Sequence, residues 1–172
     1  DTKYFKDLEP EILALFDDLD DSLDGWLIKS ENYQALNTFS AKFKDRVDCV
    51  HIDPPYNTEQ NGNTETSGFL YENKFRHSSW LTMMSDRISI SKDLLNKDGN
   101  YLCHIDENEY ENLHILMRSF FGYVGTAVWD KLNPMMGAKE LAIQHEYILF
   151  SSATPHPFYN RPQNVERILS FA

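Results

Sequence analysis

The sequence predicts an α/β fold, with a mainly parallel sheet, helices on both faces and a closing antiparallel hairpin. Short apolar runs typical of buried strands alternate along the chain with segments whose apolar residues recur at helical spacing. The last two strand-like runs are joined without a strong helical pattern, so we expect them to pair antiparallel. A chain of 172 residues is long enough for one domain with its own core.

The predicted elements follow one another as strand, helix, strand, helix, strand, helix and hairpin, after an amphipathic helix over residues 4–19. The sequence predicts strands over 26–29 and 47–52 that are joined by a helix over 33–44. We expect them to form a parallel β-α-β unit, with 47–52 as the central strand of the sheet. A polar loop over 57–76 follows, and then a helix from Ser78 or Ser79 to Asn96, closed by Lys97-Asp98-Gly99. The next strand, over 100–105, is expected beside 47–52 and is followed by a helix over 107–121. The last elements are strands over 123–129 and 146–150, joined by a loop over 131–144.

The net charge of −11 is concentrated near the start of the chain. Residues 1–25 carry nine acidic and two basic side chains, whereas the other residues carry eighteen and fourteen. The acidic excess therefore does not exclude a local nucleic-acid surface, although no basic run supplies one.

Several classes of protein are not supported by the sequence. No run of about 18 apolar residues suggests a membrane span, and the polar start does not resemble a signal peptide. No Cys/His cluster has metal-ligand spacing, so no metal is expected. Cys49 and Cys103 both fall in predicted core strands. We expect reduced, buried thiols there, which suits a cytoplasmic location, and a disulfide between them is the alternative.

Asp53-Pro54-Pro55-Tyr56 follows the strand over 47–52 and is the main candidate site. The two prolines cannot continue a strand ladder, so a carboxylate and an aromatic ring remain at the carboxyl end, where open α/β sheets bind ligands. Hydrogen bonds from an aromatic amino group to Asp53 and to the Pro54 carbonyl would make its nitrogen more nucleophilic. Tyr56 offers a stacking surface for a base that has left the duplex. From these four residues alone, a simple strand terminator is an equally good interpretation.

Asp53-Pro54-Pro55-Tyr56, extended by Asn57-Thr58, resembles motif IV of the amino-group DNA methyltransferases that use S-adenosylmethionine. The aspartate form resembles the N6-adenine enzymes, especially the modification subunits of type III restriction-modification systems. The resemblance covers roughly residues 26–152. The other blocks that carry it are Leu27-Ile28-Lys29 with Asn32 and Leu36, His77-Ser78-Ser79-Trp80-Leu81, Lys97-Asp98-Gly99, Ile105-Asp106-Glu107-Asn108-Glu109, Phe121-Gly122, Val128-Trp129 and His145-Glu146-Tyr147-Ile148-Leu149.

The resemblance implies a Rossmann-like S-adenosylmethionine-dependent methyltransferase fold and an adenine-specific DNA methyltransferase activity. The implied partners are duplex DNA with a flipped adenine and a second methyltransferase subunit or a restriction subunit. The implied catalytic residues are Asp53, Pro54, Pro55 and Tyr56. The implied cofactor-binding residues are Asp53, Ser79 and Trp80, and those near the target base are Tyr56, Asn57, His145 and Tyr147. Ordinary packing is the alternative for Trp80 and Tyr147, and a structural histidine is the alternative for His145.

The chain departs from the family pattern in two places. Ser30-Glu31 stand where the family has Gly-Asp or Gly-Asn, and the Phe-x-Gly-x-Gly segment that forms much of the cofactor pocket does not occur. We therefore expect an incomplete fold, an amino-terminal fragment of a longer protein. Its expected regions are an acidic accessory helical segment over 1–25, a methyltransferase catalytic region over 26–152 and a linker or the start of another region over 153–172. The alternatives are a non-catalytic DNA-binding or assembly remnant, and an amino methyltransferase acting on cytosine, RNA or a protein amide.

Overall fold

The computed structural model describes residues 4, 6–19, 21–58, 75–132 and 143–154. The chain divides into two compact units, Asp1–Glu31 and Asn32–Ala172. The helices of the larger unit are α2 (Asn32–Phe43), α3 (His77–Lys92) and α4 (Tyr110–Phe120), and its strands are β1 (Val47–Ile52), β2 (Leu95–Ile105), β3 (Gly125–Asp130) and β4 (His145–Ser152). Most of the predicted 57–76 and 131–144 loops, and residues 155–172, lie outside the described residues.

The smaller unit is less regular than predicted. Its described part holds a 3-10 turn at Lys6–Leu8 and a short helix, α1, at Glu9–Leu13, where the sequence predicts one helix over 4–19. The predicted strand over 26–29 is wrong: these residues are exposed and have no regular structure. A strand needs a neighbouring ladder for its backbone groups, and no described strand pairs with this run. The predicted β-α-β unit over 26–52 therefore does not form.

The described strands of the larger unit form one sheet in the order β1-β2-β4-β3. β1 and β2 are parallel, with Val50 opposite Tyr101 and Ile52 opposite Cys103. β4 is antiparallel to both β2 and β3, which confirms the closing hairpin. Because β4 runs in the opposite direction, its first residues lie at the same edge of the sheet as the carboxyl ends of β1, β2 and β3.

One detail of the predicted sheet is wrong. Among the described strands β1 lies at one end of the sheet, and β2 occupies the interior position predicted for β1. The cause is that the run predicted as a strand over 26–29 forms no second neighbour for β1. Of the four described strands, β1, β2 and β3 run in the same direction and β4 runs against them, as predicted for a mainly parallel sheet with a closing antiparallel hairpin.

The core lies between α3, α4 and one face of the sheet. The buried apolar residues of α3 and α4 recur every four positions, as one face of a helix requires, and the buried residues of β2 alternate, as one face of a strand requires. The fully buried apolar side chains are Trp80, Met84 and Ile88 of α3, Leu113 and Met117 of α4, Tyr101, Cys103 and Ile105 of β2, and Leu149 of β4. Among the described residues, no helix is long and apolar enough to cross a membrane.

β2 begins earlier than predicted, and Gly99 lies inside it rather than at the end of a helix. A Cβ atom at Gly99 would lie 2.9 Å from the Val47 carbonyl oxygen and 3.0 Å from Cδ2 of Leu95. The β1–β2 register also shifts between Val47 and Cys49. Glycine at position 99 therefore permits a close approach of two backbones, which is one of the roles of glycine within strands.

The two cysteines differ in their surroundings. Both are free thiols, but only Cys103 is buried. Burial, with the negative charge of Asp53, raises the pKa of Cys103. The expectation of a buried Cys49 is wrong, because Cys49 pairs with Asn100 on the sheet face opposite to the buried side chains of β2.

Candidate active site

The chain leaves the sheet at Asp53, as the two prolines predict. Asp53 is exposed, whereas Pro54, Pro55, Tyr56 and Asn57 are half-buried. No described residue donates a backbone hydrogen bond to the carbonyl oxygen of Pro54. An exposed carboxylate and a carbonyl acceptor therefore lie side by side in the chain at the carboxyl end of β1.

Trp80 fixes the backbone that follows Asp53. Its indole N–H donates a hydrogen bond of 2.7 Å to the carbonyl oxygen of Pro55. The side chain is fully buried in the core, on the inward face of α3. Trp80 thus connects the loop after β1 to the packed part of the molecule. Ser79, which precedes it, is exposed on the first turn of the same helix.

The Tyr56 hydroxyl lies among carboxylates. It donates a hydrogen bond of 3.4 Å to Oε2 of Glu146, and the other oxygen of Glu146 accepts a hydrogen bond from Lys131 Nζ at 2.5 Å. Burial raises the pKa of Tyr56, and the hydrogen bond and negative charge of Asp53, followed by those of Glu146, raise it further. The phenol therefore stays protonated around neutral pH and acts as a hydrogen-bond donor.

Asn57 has the left-handed backbone conformation, with φ of 58°. Its Nδ2 donates a hydrogen bond of 2.5 Å to Oε1 of Glu109, and its Oδ1 accepts one of 2.7 Å from the Phe75 N–H. Glu109 is fully buried and also lies 2.7 Å from Nδ1 of His77. Nδ2 of Asn112 donates a 2.7 Å hydrogen bond to its other oxygen. The segment after Tyr56 is thereby joined to the starts of α3 and α4.

His145 and Tyr147 interact with each other at the start of β4. Nε2 of His145 and the hydroxyl of Tyr147 are 3.0 Å apart, and the two rings meet edge to face. The Tyr147 ring also lies against that of Tyr110, with 4.3 Å between the centroids. Both residues are half-buried. These contacts give each residue a structural partner, and their contact with a target base stays a prediction.

The structure brings together only some of the predicted site residues. Asp53, Tyr56 and Trp80 lie around one loop, and Asn57 continues it. Sequence reasoning missed Glu109, His77 and Glu146 as site residues. Each lies in a block that carries the family resemblance, so those blocks are the signal that points to them. A cavity of about 740 Å³ lies elsewhere, lined by residues near the starts of β1 and β2, including Asp45, Asp48, Asn96 and Asp98.

A family model described as DNA methylase, and named for N6 and N4 methyltransferases, matches residues 47–168. The match begins at the first residue of β1 and includes Asp53–Tyr56 and the later strands that the structure describes. The chain belongs to this DNA methylase family. The predicted family membership, which rested on the motif after β1 together with the other blocks over residues 26–152, is therefore confirmed.

Several curated proteins of restriction-modification systems are similar to this chain. The probable type III enzyme HindVI Mod subunit of Haemophilus influenzae is 44% identical over 95 residues, covering 55% of this chain and 12% of that protein. The type III enzyme EcoP15I Mod subunit of Escherichia coli is 29% identical over 153 residues, covering 72% and 23%. The type II methyltransferase M.KpnI of Klebsiella pneumoniae is 28% identical over 142 residues, covering 75% and 32%. The chain thus spans no more than about a third of each of these relatives.

Solved structures of methyltransferases share the fold. A DNA modification methylase of Thermus thermophilus superposes with a TM-score of 0.53 at 17% identity, over 78% of this chain and 54% of that one. The M1.HpyAVI–SAM complex superposes with a TM-score of 0.53 at 18% identity, over 80% and 59%. These similarities confirm the predicted S-adenosylmethionine-dependent methyltransferase fold.

Proposed function

We propose that the protein containing this chain is a site-specific DNA methyltransferase that methylates the N6 amino group of adenine within a restriction-modification system. The observation that carries the proposal is the exposed Asp53 carboxylate at the carboxyl end of β1, next to a carbonyl acceptor. The similarity to type III Mod subunits and to a type II methyltransferase supports the same function.

The chemistry follows from two acceptors at one end of a strand. The amino group of adenine is a poor nucleophile because its lone pair is delocalised into the ring. Hydrogen bonds from this group to the Asp53 carboxylate and the Pro54 carbonyl would draw electron density onto the nitrogen and favour a tetrahedral geometry. Acceptors fixed in advance stabilise the charge that develops during transfer, without reorganising at that moment. Tyr56 would stack on the flipped base, which Asp53 can reach only outside the duplex.

S-adenosylmethionine is the proposed cofactor, and it supplies a methyl group bound to a sulfonium. The described residues fit the amino-group side of this chemistry, because Asp53 and the Pro54 carbonyl are acceptors. Their fit to the cofactor side is limited to the exposed Asp53 and Ser79, since Trp80 is fully buried and its N–H is bonded to Pro55. We therefore assign Trp80 to positioning the loop, and we keep Asp53 and Ser79 as the proposed cofactor contacts.

The proposed partners are duplex DNA and another subunit of the same system. Mod subunits are among the relatives, which favours association with a restriction subunit or with a second methyltransferase subunit. Transfer to the N4 amino group of cytosine is the second candidate, because the matching family model is named for both N6 and N4 enzymes. The same pair of acceptors would serve either amino group.

The decisive experiment is transfer of labelled methyl from S-adenosylmethionine to duplex DNA by the full-length protein, with the methylated nucleosides separated. The expected product is N6-methyladenine. Asp53→Ala should lower the rate by about 10²–10³, because a charged acceptor is lost from the reacting centre. Asp98→Ala removes an exposed carboxylate near the start of β2 and should leave the rate unchanged.

Three outcomes would contradict the proposal. Label recovered in N4-methylcytosine would replace adenine as the substrate. Equal rates for wild type and Asp53→Ala would mean that Asp53-Pro54-Pro55-Tyr56 only terminates a strand. Label in RNA but not in DNA would move the activity to a different substrate class.

A further inference from the structure

We propose that Glu109 is a positioning residue, whose buried carboxylate holds Asn57 and thereby sets the orientation of the Asp53–Tyr56 backbone. The inference rests on the proposed function for the role of Asp53. It concerns a carboxylate that would not itself touch a base or a cofactor. We call the four side chains Asn57, His77, Glu109 and Asn112 the carboxylate clasp.

Glu109 is an unusual residue to bury completely. A carboxylate without partners is costly to remove from water, so a fully buried one is normally hydrogen-bonded. Here three donors or potential donors surround it, one from the loop after β1 and one each from α3 and α4. They are Asn57 Nδ2 at 2.5 Å, His77 Nδ1 at 2.7 Å and Asn112 Nδ2 at 2.7 Å. Glu109 also directly precedes α4, where the helix dipole favours a negative charge.

Asn57 connects the buried Glu109 carboxylate to the candidate site. It directly follows Tyr56, and its left-handed conformation is one that asparagine adopts more readily than most residues. Both polar atoms of its carboxamide are hydrogen-bonded, since Nδ2 donates to Glu109 and Oδ1 accepts from the Phe75 N–H. The chain direction after Tyr56 is therefore fixed from one side, while Trp80 fixes Pro55 from the other.

The direction of the hydrogen bond between Asn57 and Glu109 makes the proposal testable. An ionised carboxylate only accepts hydrogen bonds, so Glu109 requires a donor at position 57. Asn57→Asp keeps the size and the left-handed conformation but places a second carboxylate against Glu109. N57D/E109Q exchanges the two groups. In that variant the amide at position 109 can donate to the carboxylate at position 57, while its oxygen accepts from Asn112.

The chain offers a closely matched control. Asn96 Nδ2 donates to Oδ1 of Asp48 at 2.5 Å, and Asn96 Oδ1 accepts from the Asp98 N–H at 2.9 Å. This is the same arrangement of amide, carboxylate and backbone N–H as at Asn57. It lies near the starts of β1 and β2, at the opposite end from Asp53. Asn96→Asp therefore makes the same substitution against an exposed carboxylate, away from the candidate site.

The experiment uses the full-length protein and measures kcat, the KM for S-adenosylmethionine and the melting temperature for each variant. It also records the fluorine NMR spectrum after incorporation of 5-fluorotryptophan, with the Trp80 signal assigned by its loss in Trp80→Phe. We expect N57D to lower kcat at least about tenfold with little change in the KM for the cofactor, and to move the Trp80 signal. N57D/E109Q should recover most of kcat and return the signal. N96D should change neither.

The proposal is overturned if N57D leaves both kcat and the Trp80 signal unchanged. It is also overturned if N57D/E109Q folds with a normal melting temperature but recovers neither quantity, or if N96D lowers kcat as much as N57D. The fluorine readout does not depend on activity. If the wild-type protein transfers no methyl group, the proposed function fails, while the Trp80 signal still decides whether the carboxylate clasp orients the loop.

Discussion

The indole nitrogen of Trp80 lies 2.7 Å from the carbonyl oxygen of Pro55, which precedes it by 25 positions. This bond joins the core of the protein to the loop that carries Asp53. Trp80 therefore has two roles, because its ring fills the space between α3 and the sheet and its N–H satisfies a backbone carbonyl. A phenylalanine could perform the first role but not the second.

We expect Trp80→Phe to lower the free energy of unfolding by about 1–3 kcal/mol, since the substitution leaves the Pro55 carbonyl without its donor. Denaturant unfolding at neutral pH measures the change. Trp129→Phe is the control, because Trp129 is 52% exposed and has a ring contact with His104 but no described hydrogen bond from its indole. A Trp80→Phe protein as stable as wild type would show that the hydrogen bond contributes nothing.

Two substitutions at Tyr56 distinguish the role of its ring from that of its hydroxyl. Tyr56→Phe removes the hydroxyl's hydrogen bonds to Asp53 and to Glu146, the latter long at 3.4 Å, but leaves the ring and both carboxylates in place, so kcat should fall by less than about tenfold. Tyr56→Ala also removes the stacking surface, worth roughly 1–3 kcal/mol per base, so kcat/KM for DNA should fall about 10- to 100-fold. Steady-state methyl transfer measures both. Equal losses for the two variants would contradict a stacking role.

Gly99 should tolerate no side chain without a cost. A Cβ atom there would lie 2.9 Å from the Val47 carbonyl oxygen, so β1 and β2 would have to move apart. We expect Gly99→Ala to lower the free energy of unfolding by roughly 1–3 kcal/mol, the usual cost of overpacking. Gly122→Ala is the matched control, because a Cβ atom there meets nothing within 4 Å. Similar melting temperatures for the two variants would contradict the prediction.

Asp106 should make stability depend on pH in an unusual direction. Burial raises its pKa, as do the charges of Glu107 and Glu146, while hydrogen bonds from Asn108 act the opposite way. A carboxyl group with a raised pKa binds its proton more tightly in the folded state. Its contribution to stability is therefore present below the ordinary pKa of about 4 and is lost as the pH rises through the folded-state pKa.

Asp106→Asn cannot titrate at this position, so it should gain stability relative to wild type as the pH rises from about 4 to about 8. Denaturant unfolding of both proteins across this range gives the difference at each pH. Asp98→Asn controls for the loss of one exposed carboxylate. A difference between Asp106→Asn and wild type that stays constant, or that changes in the opposite direction, would contradict the raised pKa.

Local pattern was sufficient to predict much of the larger unit. The alternation in Asn100–Ile105, the helical spacing of Met84 and Ile88 and the loop-joined pair of final strands all reflect faces packed on one core. The strand over 26–29 failed because apolar character alone cannot show whether a partner strand is present. The start of β2 was missed because Lys97-Asp98-Gly99 has the residues of a turn, whereas the close approach of Val47 is a tertiary contact.

In the candidate site, too, some features could be predicted from the sequence and others could not. The position of Asp53 was predictable, because two prolines must end a strand wherever they occur. The carboxylate clasp was not, since Glu109 meets Asn57 across 52 positions and His77 across 32. Glu146 reaches Tyr56 across 90 positions only because β4 begins at the edge where β1 ends. Contacts of this kind depend on sheet topology rather than on residue pattern.

The contrast between the two thiols offers a labelling strategy. Cys103 is buried with a raised pKa, so maleimides and other thiolate-directed reagents should react with it slowly in the folded state. Cys49 is exposed on β1, four positions before Asp53. A fluorophore or spin label attached to this chain under native conditions would therefore be directed to Cys49. It would report from the strand that ends at the candidate site, while all the residues proposed to act there stay intact.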